Sequence, residues 1–246
     1  MKSLAKILLV AILLTGATYT FAKPHPTVKL NDPTIVDRHL SGFNGVHVGG
    51  SFDVYITQGD TESVKVEAPD DVIDRVITEV TGGVLKIHNK NEHWGWFNWG
   101  WGNHKKVVVY VTAKDLNNIA VSGSGEVFFK DGITTNSLKL RVSGSGDLLG
   151  KVDVKTLESS ISGSGNVKLS GKAESSTVSV SGSGDFAAGN LITLSSKVHV
   201  SGSGAVRINA SDKVDASVSG SGDVRYTGTA THIWKTKSGS GNISKF

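Results

Sequence analysis

Apolar and polar residues alternate along much of the second half of the chain. Leu138-Lys139-Leu140-Arg141-Val142 has a period of two, as do Val198-His199-Val200 and Val214-Asp215-Ala216-Ser217-Val218. A period of two with β-branched residues predicts half-buried strands. Each of these runs leads into the same tetrapeptide, Ser-Gly-Ser-Gly. Its copies begin at Ser122, Ser143, Ser162, Ser181, Ser201, Ser219 and Ser238, in steps of 21, 19, 19, 20, 18 and 19 residues. Val121, Val142, Ile161, Val180, Val200 and Val218 precede the first six copies. A flexible Gly/Ser spacer has no reason to keep such a period. A unit of about 20 residues that cannot bury its own face has to stack on its neighbours. The pattern therefore predicts an all-β fold, a β-solenoid (β-helix-like) of about 19–20-residue coils whose strands pair in parallel at ~4.8 Å. Glycine at this density excludes long helices.

Stacking turns equivalent residues into columns. The glycine columns would let the backbone turn or approach closely. The serine columns are expected to hydrogen-bond to one another and to the backbone. Glu126, Asp147, Asn166, Asp185, Ala205, Asp223 and Asn242 follow the seven copies. Their plain role is to accept backbone N–H groups at the turn. A sharper reading makes Asp147, Asp185 and Asp223 metal ligands in a calcium ladder, since oxygen donors suit that ion. Asn166 and Ala205 interrupt the ladder. The seventh copy follows Lys237 instead of an apolar residue. Terminal coils have an edge to cover, and Trp234 and Phe246 are the expected covers.

The first half is less regular. Val46-His47-Val48, Val54-Tyr55-Ile56, Val64-Lys65-Val66, Val84-Leu85-Lys86-Ile87 and Val107 to Val111 read as strands. Gly49-Gly50-Ser51-Phe52-Asp53-Val54 resembles a permuted copy of the repeat. Pro69-Asp70-Asp71 predicts a short helical turn. The predicted division is a signal peptide over 1–22, an extended lead over 23–40, a β-rich region over 41–117 and the repeat solenoid over 118–246. Whether 41–117 is a separate β-domain or a set of irregular coils is open at this level.

Residues 1–22 read as a targeting segment. Lys2 and Lys6 are followed by the apolar stretch Ile7 to Leu14 and by small residues at Thr20 and Ala22, the pattern of a cleavable secretory signal. The apolar stretch is too short to span a membrane, so no transmembrane segment is expected after cleavage. The chain has no cysteine, which excludes disulfides, thiolate metal sites, Cys nucleophiles and a lipobox anchor. The expected location is secreted, periplasmic or cell-envelope. Without Lys2 and Lys6 the mature chain carries 24 basic and 22 acidic residues, +2. Those charges are scattered, so no nucleic-acid partner is expected.

The most unusual stretch is His93-Trp94-Gly95-Trp96-Phe97-Asn98-Trp99-Gly100-Trp101-Gly102-Asn103-His104. It lies between two predicted strands, so it reads as a long hairpin tip or loop. Trp94, Trp96, Phe97, Trp99 and Trp101 cannot all be buried in so short a segment. Exposed aromatic residues pack on sugars, proteins or a lipid surface, or else cover the solenoid flank. They are the candidate binding residues, with a glycan or a cell-surface protein as partner. His93 and His104 flank the segment and form a weak candidate metal pair. No catalytic set with a defined spacing is present, and no cofactor is implied.

The segments GFNGVHVGGSFDVYITQG, GGVLKI, VVVYVTAKDLNNIAVSGSGEV and the recurring SGSGDV together resemble the auto-transporter adhesin, head GIN domain family, from about Phe43 to the C-terminus. That family is a bacterial domain of unknown function found in exported proteins of Bacteroidetes. The resemblance implies a β-helix-like fold and an envelope or secreted location, and it carries over no catalytic residues. The expected function is that of an exported, non-enzymatic scaffold presenting a binding surface. The alternatives are a carbohydrate-active enzyme on a β-helix and a periplasmic structural or sensing module. Oligomeric state is not legible.

Overall fold

The computed structural model describes residues 33–90 and 106–246. β1 (Thr34–Asp37) is a strand within the segment expected as an extended lead, and the predicted strands β2 (Gly45–Gly50), β3 (Asp53–Gln58) and β4 (Ser63–Ala68) follow it. A one-turn helix α1 (Asp70–Ile73) follows, then β5 (Val76–Thr81), β6 (Val84–Asn89), β7 (Val108–Ala113) and β8 (Asn118–Gly123). Then come the long strands β9 (Glu126–Gly144), β10 (Asp147–Gly163), β11 (Val167–Gly182), β12 (Phe186–Gly202) and β13 (Ala205–Gly220). The chain closes with β14 (Asp223–Thr227), β15 (His232–Ser238) and β16 (Asn242–Lys245). The fold is an all-β solenoid, and each of β9 to β13 bends around one whole coil, from just past one glycine corner into the next.

Parallel pairing holds the coils in register. Inward positions form columns: Leu138, Leu157 and Ser176 stand over one another, as do Val142, Ile161, Val180, Val200 and Val218. One buried apolar cluster runs from Phe43 to Tyr226. Lys155 and Thr156 are both exposed between buried Val154 and Leu157, and this break in alternation turns the coil. Coils of unequal length absorb their extra residues away from the glycine corner, at shifts between Gly150/Val152, Lys168/Ser170 and Ala187/Ile192. Ser159 and Ser176 are buried with hydroxyls that lack a partner among the described residues. An unpaired buried hydroxyl costs about 1–3 kcal/mol, so the core holds a little uncompensated polarity.

The tetrapeptide is a built corner. Gly50, Gly123, Gly144, Gly163, Gly182, Gly202, Gly220 and Gly239 stand in one column, all at positive φ. Gly144 has φ +116°, and a Cβ there would stand 2.6 Å from the Gly123 carbonyl oxygen. Backbone bonds do the fastening: Ser164 and Gly165 both donate N–H to Gly144 O, at 2.9 and 3.0 Å, and the pattern recurs up the stack. The serines differ from expectation. Both serine columns point outward and are exposed in every copy, because the corner backbone already satisfies its own donors and acceptors.

The order of layers at the N-terminal end departs from chain order. β2 lies between β6 and β8, and β3 between β7 and β9, all in parallel. The β2–β3 layer comes first in the chain yet is inserted between the β6–β7 and β8–β9 layers. Its Gly49-Gly50 pair is the first member of the glycine column, in register with Ser122-Gly123. Antiparallel β1 on β4 and β5 on β6 close this end.

At the other end β15 pairs with β13 and β16 with β14, and no described strand lies beyond them. Lys235 and Lys237 take the register positions of Ala216 and Val218, which are buried one layer below. The Lys235 ammonium lies 4.8 Å from the Tyr226 ring centroid and donates to Ile243 O at 3.3 Å. Charged side chains at inward positions are a recognised guard against edge-to-edge pairing. The expected covers do not serve: Trp234 shares the outward register of Asp215 and is 51% exposed, and Phe246 is 60% exposed.

Candidate functional site

Trp94, Trp96, Phe97, Trp99 and Trp101, with His93 and His104, lie outside the described residues. Their anchors are described. Val108 shares the register of Asp53 and Glu126, and His88 that of Gly49 and Ser122. In the β8–β9 layer only Gly123, Ser124 and Gly125 separate the two positions. In the β6–β7 layer the chain between them runs from Asn89 to Val107. The chain from Asn89 to Val107 therefore joins two register positions that three residues of a glycine corner join in the neighbouring layer. Lys106, at its end, forms a 2.8 Å ion pair with Asp53. The hydrogen bond to Asp53, and then its charge, raise the Lys106 pKa.

Asp147, Asp185 and Asp223 stand in one column, alternating with Asn166, Ala205 and Asn242. The acids are thus two layers apart, about 10 Å at the usual strand spacing. Each is used by the next layer: Asn166 N–H donates to Asp147 Oδ1 at 2.8 Å, Ala205 N–H to Asp185 Oδ1 at 2.8 Å and Asn242 N–H to Asp223 Oδ1 at 3.1 Å. Among the described residues no three His, Asp or Glu side chains come together as metal ligands.

One outward column was not singled out from the sequence. Tyr110, Tyr55 and Phe128 share a register across β7, β3 and β9. Their rings stack, with centroids 5.7 Å apart for Tyr110–Tyr55 and 4.9 Å for Tyr55–Phe128, at interplanar angles of 22° and 16°. The signal was a shared offset: Tyr55 and Phe128 each stand two residues past Asp53 and Glu126. Rings stacked face to face turn their edges to solvent, so this ladder mainly stiffens the sheet. The Lys130 ammonium lies 5.5 Å from the Phe128 centroid. A hydrogen bond to Glu67, followed by burial and the Glu67 charge, raises the Tyr110 phenol pKa.

On the adjoining face His47 is half-buried on β2. Burial lowers its pKa, reinforced by Lys86 and His88. A shallow depression lined by Ser41, Phe43, Asp60, Glu62, Lys114 and Asp115 opens at the loops beyond β3 and β7. Glu62 there accepts the Gly42 N–H at 2.6 Å.

These features define a class: an all-β repeat protein whose parallel coils stack on a continuous apolar core and are fastened at glycine corners. Residues 42–230 match the family described as "Putative auto-transporter adhesin, head GIN domain", and the chain belongs to that family. Among solved structures, a "putative adhesin" from Bacteroides fragilis is similar at 26% identity and a TM-score of 0.79, over 87% of this chain and 97% of that one. A "putative lipid binding protein" from Parabacteroides distasonis shares the fold at 24% identity and a TM-score of 0.71, over 87% and 97%. A "putative adhesin" from Parabacteroides merdae does so at 20% identity and 0.68, over 87% and 96%. No curated protein matches the chain.

Proposed function

We propose that the protein is an exported, non-enzymatic adhesion scaffold whose contact surface is the tryptophan segment. The family supports the adhesin class. The observation that carries the finer reading is the register of β6 and β7 against β2 and β3. A fold that repeats a three-residue turn gives up that economy at one corner only among the described layers, and there it inserts most of its tryptophan. Stacked coils supply a stiff base, so the insertion can hold a contact without a deforming scaffold. The indole and phenyl faces suit the C–H faces of sugar rings or the apolar centre of a protein contact. The segment 1–22 supports delivery outside the cytoplasm by signal cleavage.

A glycan-array screen tests this. The protein is expected to bind a subset of glycans, and the Trp94/Trp96/Trp99/Trp101→Ala variant, equally folded by circular dichroism, is expected to lose that binding. Equal glycan binding by both proteins would remove the segment from the contact. No binding by either would move the contact from sugar to a protein surface.

A further inference from the structure

The open end of the last layer is chemically unlike the rest of the solenoid. Residues 232–246 contain Lys235, Lys237 and Lys245 and no Asp or Glu. All three occupy inward register positions, those of buried Ala216, Val218 and Tyr226 one layer below, over the end of the core rather than along its flank. Around them stand Trp234 and Phe246, both more than half exposed. Lys213, from the layer below, lies 4.8 Å from the Trp234 centroid. No described strand lies over the far side of that ring, because β15 is the last described strand on its face. Cations at the centre and aromatic rings at the rim thus belong to one layer, where a flat surface laid on the end would meet them together.

We propose that this end docks on the anionic headgroup layer of a membrane. The inference goes beyond the adhesion reading and uses a different part of the molecule. Lysine stems can lie over apolar surface while their ammonium groups reach lipid phosphates. Tryptophan and phenylalanine rings suit the boundary between headgroups and acyl chains, tryptophan especially. The unpaired backbone groups of β15 and β16 remain hydrated in a headgroup layer, which a dry protein contact would not allow. A second copy meeting the same end would set lysine against lysine.

The test is co-sedimentation of the full chain with vesicles at low salt. Binding is expected to mixed phosphatidylcholine–phosphatidylglycerol vesicles and not to phosphatidylcholine alone. The Lys237→Gln/Lys245→Gln variant spares the Lys235 contacts and should fold normally. Its partition onto anionic vesicles is expected to fall roughly thirtyfold, from the usual contribution of two lysines near such a surface. Lys151→Gln/Lys155→Gln, on the solenoid flank, should change it little. Trp234→Ala should weaken binding in high salt as well as low. Three results would each overturn the proposal: indifference to lipid charge, equal losses from end and flank variants, or sedimentation equilibrium showing that the end is occupied by a second copy. The vesicles carry no glycan, so this outcome is read separately from that of the glycan screen.

Discussion

Gly146→Ala is expected to destabilise the protein by at least about 3 kcal/mol, the upper range for overpacking a close-packed site. A Cβ at Gly146 would stand 2.5 Å from the Gly125 carbonyl oxygen and 2.6 Å from Val121 Cγ1. Neither neighbour can retreat. The carbonyl belongs to the corner one layer below, and Val121 is buried in the core. For a protein of this size the loss corresponds to a fall in Tm of roughly 10 °C. The comparison is Gly82→Asn in the β5–β6 turn. Gly82 has φ +60° with nothing within 4 Å of an added Cβ. Asn tolerates that left-handed conformation, so the change should cost about 1 kcal/mol or less. Thermal unfolding of the two variants separates a glycine needed for room from one needed only for its turn.

The second large effect concerns the end of the stack. Lys235→Val/Lys237→Val is expected to make the protein associate end to end. The two substitutions would restore the apolar inward positions that Ala216 and Val218 hold one layer below. β15 would then offer a long apolar edge with unpaired backbone groups, the arrangement natural sheets avoid. Sedimentation velocity should show concentration-dependent species larger than those of the wild type. The effect should track the loss of inward charge, so Lys235→Gln/Lys237→Gln should associate less. A double Val variant with the wild-type distribution would mean that the lysines do not guard this end.

Much of the repeat half is legible in the sequence because two constraints coincide there. Alternating Val, Leu and Ile mark the inward columns. Glycine is required where one corner rests directly on the next, so its spacing measures the coil. The same logic identifies Gly49-Gly50-Ser51-Phe52-Asp53 as an altered corner. The insertion of β2–β3 between later layers is not legible, because parallel pairing reads the same from either neighbour. The serines mislead for a physical reason: hydroxyls in a column can bond to one another, but a corner fastened by its own backbone leaves them no such task. Trp234 misleads by identity. A large apolar residue near a terminus suggests a cover, yet its parity in β15 places it outward and gives the covering positions to lysine. The Tyr110–Tyr55–Phe128 ladder requires knowing that β7 lies beside β3, which sequence distance hides.

Amide hydrogen exchange at the glycine corners is the measurement that bears most directly on the solenoid. The N–H groups of Ser164, Gly165, Ser183, Gly184, Ser203 and Gly204 all donate to a glycine carbonyl one layer below. They should exchange as slowly as the core-strand amides, opening only when the stack opens. Exchange at the rate of an unstructured Gly/Ser chain would contradict the account, because it would make the seven tetrapeptides spacers between strands.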